Sequence, residues 1–186
     1  IMPYCDRLLG FSAWFRQLEA ESLGKEGKGP QPVSARGVTD QHSQLQLYTE
    51  GPKDKFIIFM YVPSKGPNVP ETFPYVEELS YLSGKGLDHL FHAELLGTMF
   101  SLVEASVPTV EIKMDNLSPY SLGALFYLFE MVIVLFGKLL GVNPFDQPGV
   151  EKGKTYTRAL MGFKEGKEVQ ERIIAFQAEK RSIVSF

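Results

Sequence analysis

Apolar side chains repeat at helical spacing near the start of the chain, at Leu8, Phe11, Phe15 and Leu18. This pattern predicts an amphipathic helix over about residues 6–23. Leu23-Gly24 is a typical C-terminal stop for such a helix. A polar segment rich in Gly, Pro and Lys follows at 25–37 and predicts a loop.

Two later segments have the pattern of strands. Residues 55–62 form a continuous apolar run that is rich in β-branched and aromatic residues, which predicts a strand buried on both faces, as in a parallel sheet. Residues 109–114 alternate more and predict a second, more peripheral strand. A helix over about 87–105 lies between them. The order helix, strand, helix, strand, helix predicts an α/β fold with a right-handed crossover.

The segment 120–137 is almost wholly apolar and long enough to raise the question of a membrane span. Ser118-Pro119 is a start typical of a soluble helix. Glu130 lies in the middle of the run, where a charge costs about 2.5–3.5 kcal/mol on insertion scales. We therefore expect a helix buried on most sides, against the sheet and another segment or subunit.

Two further helices are predicted from weaker patterns. One is a short helix around Tyr75–Ser83, and the other is a charged amphipathic helix over Glu165–Phe186 whose apolar end should dock on the protein.

Composition limits the class of protein. The 186 residues suffice for one domain with a sizeable core, and the apolar (44%) and charged (22%) fractions are ordinary for a soluble globular protein. A net charge of −3 gives no indication of a nucleic acid or an anionic membrane as partner. The single cysteine, Cys5, and the lack of a signal-peptide pattern favour a reducing, cytoplasmic setting.

The segment 143–154 predicts a helix whose N-terminal end carries polar side chains. Pro148 suits the first helical position, which makes Gln147 the N-cap. Gln147, Glu151 and Lys154 then share one helical face and could hold an oxygen-rich ligand. The plain alternative is a capped surface helix with an ordinary Glu–Lys pair.

Two ionisable residues stand at helix ends. Glu21 continues the buried stripe near the negative end of its helix, whereas Glu19 points away. That placement should raise the pKa of Glu21 and suit it to proton transfer. Thr39 is a plausible N-cap with His42 in the first turn, where the neutral imidazole is favoured. A solvated Glu21 and a capping or partner-contacting His42 are equally compatible with the pattern.

His89 and His92 lie at a spacing that a metal site can use, with Asp88 and Glu94 nearby. The four residues do not complete a familiar ligand pattern. Surface histidines on an amphipathic helix explain them better.

Three motifs, in order along the chain, resemble those of the phosphoglucose isomerase family. Gly137–Lys154 is similar to the family's C-terminal signature, most specifically at Phe145-Asp-Gln147. Ala20–Lys25 resembles its Glu-Ser-x-Gly-Lys segment, and Thr39–Ser43 resembles the segment with its active-site histidine.

The resemblance implies interconversion of glucose 6-phosphate and fructose 6-phosphate without metal or organic cofactor. It implies that Glu21 moves a proton between C2 and C1 through a cis-enediol(ate). His42 and Lys154 would assist opening of the sugar ring, and Gln17 and Gln147 would line the sugar site. It also implies a sugar-isomerase (SIS) type three-layer sandwich of parallel strands flanked by helices.

The differences from the family's pattern indicate which portion of a family member this chain would correspond to. Family members are far longer, and their Ser/Thr-rich phosphate loop and Gly-Gly-Arg segment, which lie N-terminal to the base, have no counterpart here. Residues 1–186 therefore resemble the C-terminal part, with a partial SIS-type domain and C-terminal helices. Leu23 stands where many members carry Asn, which suggests the bacterial short-form type.

The resemblance also implies partners. They are the sugar phosphate, the N-terminal portion, and a second copy of the chain, because the family's active-site histidine comes from the neighbouring subunit of a dimer. Two other hypotheses stay open at this stage. One is a non-catalytic SIS-type module that binds sugar phosphates or a protein, and the other is a membrane-anchored helical protein resting on 120–137 alone.

Overall fold

A three-stranded parallel sheet, in the order β1-β2-β3, organises the fold. The computed structural model describes residues 1–71, 76–163 and 166–178. The strands are β1 (Met2–Tyr4), β2 (Ile57–Tyr61) and β3 (Thr109–Lys113). The helices are α1 (Leu9–Leu23), α2 (Thr39–Glu50), α3 (Leu87–Glu104), α4 (Pro119–Leu140), α5 (Pro148–Leu160) and α6 (Lys167–Ala178), with 3₁₀ turns at Asp6–Leu8 and Glu77–Leu82.

The predicted α/β class and the strand characters are confirmed. β2 is the central strand and is buried along most of its length, whereas β3 is an edge strand with largely accessible side chains. β1 was not predicted. Three residues are too few to show a period, and Met2 and Tyr4 are buried by packing in the folded chain, where β1 pairs with β2 and Tyr4 contacts Phe91 of α3.

Helices cover both faces of the sheet and make it the middle of three layers. Phe59 of β2 faces α2 and α3, where it packs with Leu95 and Leu102. Met60 faces the opposite way, towards α1 and α4. Successive side chains of a strand point to opposite faces and both faces of β2 are covered, which accounts for apolar residues throughout Ile57–Tyr61.

Most predicted helix limits agree with the structure. α1 ends at the Gly24 C-cap, whose N–H donates to the Ala20 carbonyl, and α4 begins at a Ser118–Ser121 capping box with Pro119 in its first turn. The predicted N-cap Thr39 is wrong by one residue, since Val38 takes that place. The Asp40 carboxylate, in the first turn, accepts from the Arg36 N–H at 2.6 Å.

The two weaker predictions fall partly on residues outside the described part. The helix around 75–83 is a 3₁₀ helix over Glu77–Leu82, and Tyr75 lies outside the described residues. The tail helix is present as Lys167–Ala178, and its predicted remainder, residues 165 and 179–186, lies outside them.

α4 is buried on one face only, so the prediction of burial on most sides is wrong for this chain by itself. Leu125, Phe129 and Ile133 are buried against α1 and the sheet, whereas Tyr127 and Leu135 are exposed. α4, 22 residues long with mean hydropathy 1.9, is the one helix among the described residues long and apolar enough to cross a membrane. Because core helices pass the same test, this is weak support for a span.

Candidate active site

The C-terminal end of α1 and the N-terminal end of α5 face each other across a cleft. Its volume is about 610 Å³, within the range of small-molecule sites. Glu21 lies on one wall, and Gln147 and the first residues of α5 lie on the other. Two segments more than 120 positions apart in the chain are therefore brought together.

Glu21 is half-buried and held by its own helix. The Gln17 Nε2 donates to the Glu21 Oε1 at 3.2 Å, across one turn. One carboxylate oxygen is thereby oriented, and Glu21 lines the cleft. Gln17 itself is exposed and does not line the cleft.

The pattern predicted that Glu19 points away from the buried face of its helix, and this prediction is wrong. It is half-buried, and this burial raises the pKa of its carboxyl. Glu19 lies one turn after Phe15, so both residues face a second cavity, between α1, α2 and the segment 30–33. The buried face that includes Leu8, Phe11 and Phe15 is therefore wide enough to include Glu19, although the spacing of the apolar residues alone placed Glu19 outside it.

α5 begins as predicted, with Gln147 at its N-cap and Pro148 in its first turn, although the Gln147 side chain makes no capping hydrogen bond. The Lys154 Nζ donates to the Glu151 Oε1 at 2.6 Å. This hydrogen bond lowers the pKa of Glu151 and keeps that carboxylate ionised. Glu151 is thus the structural neighbour of Lys154, as the sequence suggested.

His42 and Lys154 do not line the cleft with Glu21. His42 is exposed near the start of α2, a helix that packs mainly against α3. Lys154 lies two turns into α5 with 56% of its side chain exposed. Of the five predicted site residues, Glu21 and Gln147 line the cleft, and Gln17 contacts Glu21 from an exposed position one turn earlier.

Lys25 is a residue whose role the sequence did not reveal. Its amine forms an ion pair with the Asp146 Oδ1 at 2.8 Å and donates to the carbonyl of Asn143, and only 10% of the side chain is exposed. The Lys25 hydrogen bond lowers the pKa of Asp146. Its place in the Glu-Ser-x-Gly-Lys segment, four residues after Glu21, was the available signal.

Gln41 was also missed. Its side-chain oxygen accepts from the hydroxyls of Tyr4 and Thr98, and its Nε2 donates to the Glu94 Oε2 at 3.2 Å. Gln41 thereby fixes the start of α2 to β1 and α3, directly beside His42. A glutamine in an otherwise polar helical turn carries no pattern that would single it out.

The histidines at 89 and 92 do not form a metal centre. His92 stacks on the ring of Tyr61 with centroids 4.8 Å apart. Within residues 1–71, 76–163 and 166–178, no group of three or more His, Cys, Asp or Glu side chains is placed to hold a metal ion.

Solved structures define the class of protein. A hypothetical protein from Thermus thermophilus matches 87% of this chain with a TM-score of 0.78 and 38% identity, over 40% of its own length. A glucose-6-phosphate isomerase from Chlamydia trachomatis matches 94% of this chain with a TM-score of 0.71; at 22% identity it supports the fold alone. The parallel sheet between two helical layers is thus an α/β fold of the sugar-isomerase type.

Sequence comparisons define the family. Residues 94–182 match the family model described as phosphoglucose isomerase. A probable glucose-6-phosphate isomerase from Natronomonas pharaonis is 44% identical over 94% of this chain, and a glucose-6-phosphate isomerase from Carboxydothermus hydrogenoformans is 42% identical over 99%. Over most of its length the chain therefore resembles part of the proteins of the phosphoglucose isomerase family. It spans about two fifths of these relatives, 41% and 42% of their lengths.

Proposed function

We propose that this chain is the acid–base part of an aldose–ketose isomerase that interconverts glucose 6-phosphate and fructose 6-phosphate. The observation that carries the proposal is the cleft in which Glu21, oriented by Gln17, faces Gln147. Relatives that match 94% and 99% of the chain are named as glucose-6-phosphate isomerases, which supports the choice of substrate.

In the proposed reaction Glu21 acts as the base on the open-chain sugar. Its carboxylate removes the proton from C2 of glucose 6-phosphate, and the carbonyl at C1 becomes the enediolate oxygen. The hydroxyl proton on O2 passes to O1, and the same carboxyl returns the carbon-bound proton to C1, so that O1 becomes a hydroxyl and O2 the ketone carbonyl of fructose 6-phosphate. A positioned general base contributes about 10²–10⁴-fold to such a step, and the Gln17 amide supplies the positioning.

Ring opening precedes this transfer, and the proposal gives it to His42 and Lys154. Together they move a proton from O1 to O5 as the ring carbon–oxygen bond breaks. Lys154 must leave Glu151 to reach the sugar, and this costs little because an exposed ion pair is worth about 0–1 kcal/mol. Both partners of that pair are more than half exposed.

His42 acts, in this proposal, from a second copy of the chain. It is exposed on α2, a helix that does not line the cleft. The sugar phosphate also requires an anion-binding segment, which we assign to an N-terminal portion. The proposed enzyme is thus a cytoplasmic homodimer of longer chains that uses no metal or organic cofactor, and residues 1–186 are its C-terminal part.

Solvent deuterium exchange at C1 and C2 of fructose 6-phosphate tests the proposal. The chain, assembled with the N-terminal portion, should exchange these positions, and Glu21→Gln should abolish the exchange. Glu19→Gln is the matched control, because it makes the same change two residues earlier and should leave exchange intact. An assembled wild-type complex without exchange, or an active Glu21→Gln variant, would contradict the proposed function.

A further inference from the structure

Lys25 connects the two walls of the cleft. It follows Glu21 by four residues, and its partner Asp146 directly precedes Gln147. The partners Lys25 and Asn143 are 118 positions apart in the chain. The ion pair therefore joins the segment that carries the base to the segment that presents Gln147.

The contact differs from an ordinary surface ion pair, because the lysine side chain is nine-tenths covered. An amine withdrawn from water needs charge-assisted hydrogen bonds, and here the Asp146 carboxylate and the Asn143 carbonyl provide them. The turn is braced from within as well. The Asn143 Nδ2 donates to the Asp146 Oδ2 at 3.0 Å, and the Asn143 Oδ1 accepts from the Phe145 N–H at 3.1 Å.

α5 has few other attachments to the body of the fold. It packs mainly against α6, and its one buried residue is Ala159, near the far end. The turn before it is anchored at its start, where Gly141 ends α4 with φ 69° and Val142 is buried. From there to Gln147, the Lys25 contact holds the turn against the end of α1.

We propose that Lys25 is a positioning residue, which sets the separation of Glu21 and Gln147 through its contacts with Asp146 and Asn143. This inference rests on the proposed isomerase function. Lys25 acts on the reaction through the turn and does not itself transfer a proton. A misplacement of about 1 Å between reacting groups can cost about 10²-fold in rate, so loss of the contact should lower kcat by about 10- to 100-fold.

The experiment compares four variants in the assembled enzyme, with kcat, KM and Tm measured for each. Lys25→Met removes the covered amine of the ion pair, and Asp146→Asn removes the charge of its exposed partner. Lys25→Arg keeps a cation that can reach the carboxylate. Lys28→Met is the control, since Lys28 lies in the same loop but is 43% exposed and pairs with Glu26.

The proposal expects Lys25→Met and Asp146→Asn to lower kcat with little change in Tm, and expects Lys25→Arg to recover most of the loss. Lys28→Met should match the wild type. If Lys25→Met fails to fold, Asp146→Asn decides, because 56% of that side chain is exposed and its loss leaves the core intact.

Two results would overturn the assignment. One is an unchanged kcat in Asp146→Asn or in a folded Lys25→Met, in an enzyme that Glu21→Gln inactivates. The other is a fall in Tm that accounts for the whole loss of activity. An enzyme in which Glu21→Gln stays active would instead reject the proposed function, so the two failures are distinguishable.

Discussion

Two of the three helices that carry the proposed acid–base residues, α1 with Glu21 and α2 with His42, are held by the fold in different ways. α1 buries Phe11, Phe15 and Leu23, and its rings meet those of α4, with Phe15 and Phe129 centroids 4.7 Å apart. α2 buries one residue, Tyr48, and its start is fixed by the polar contacts of Gln41. Glu21 therefore stands on a helix locked into the core, and His42 on one attached near the surface.

This difference agrees with the proposed site, in which Glu21 comes from one copy of the chain and His42 from a second copy. A base that must meet one carbon of the substrate benefits from a rigid support. A histidine that, in our proposal, reaches a neighbouring copy must instead be exposed. The comparison leads to four predictions, given from the largest expected effect to the smallest.

Dimers of two different variant subunits test whether Glu21 and His42 of one site come from different subunits. Glu21→Gln and His42→Asn should each inactivate the assembled enzyme. Refolding the two variants together should restore about a quarter of the wild-type rate, because half of the dimers are mixed and each mixed dimer has one intact site. The rate of each variant refolded alone serves as the control. No recovery in mixtures shown to contain mixed dimers would mean that Glu21 and His42 act within one subunit.

Core truncations should affect α1 far more than α2. Phe15→Ala should lower the free energy of unfolding by about 3–5 kcal/mol, since it removes a ring that packs on Phe129. Leu47→Ala on α2 should change it by less than about 0.5 kcal/mol, because Leu47 is 55% exposed. Chemical denaturation measures both. Equal losses would show that α2 is anchored as firmly as α1.

The amide beside Glu21 should matter more than its counterpart beside His42. Gln17→Met removes the donor to Glu21 and should slow isomerisation about tenfold, since a hydrogen bond to a charged group is worth about 1.5–3 kcal/mol. Gln46→Met, one turn after His42 on α2, is the matched control and should leave the rate unchanged. Similar effects of the two changes would remove the distinction between the helices.

The smallest effect concerns Glu19, on the inner side of α1. Burial raises its pKa, so the folded state disfavours its charged form. The contribution of Glu19 to stability is therefore greatest below the ordinary pKa of 4.5 and is lost as the pH rises through the raised value. Glu19→Gln should raise Tm at pH 7, and this gain should vanish below about pH 4. A gain that persists at low pH would assign the effect to packing.

Local patterns predicted the regular elements well. The periodicity of apolar residues predicted helices α1, α3 and α4 and strands β2 and β3. An element that buries one face or both faces needs apolar residues at regular positions, and these positions are visible in the sequence. β1 shows no such pattern, because three residues are too few to display a period and they are buried by contacts with distant parts of the chain. The exposed outer face of α4 had no local signal either, because apolar residues at every position cannot tell which side meets the core.

The site was predicted through motifs more than through physical patterns. Glu21, His42 and Lys154 have the residue types that proton transfer needs, but each has an ordinary surface role that fits equally well. The three motifs together, in order, pointed to one family. Glu19 shows the limit of the physical reading, since the stripe alone gave the wrong orientation of that carboxylate.

The sequence by itself determined the α/β class, the cap of α5 at Gln147 and the residues available for proton transfer. These follow from short-range rules that act between residues a few positions apart. Only the tertiary structure decided that Glu21 and Gln147 share a cleft while His42 lies apart. It also placed the covered amine of Lys25 between the two walls. Contacts between distant segments depend on how whole helices pack, and no local spacing encodes them.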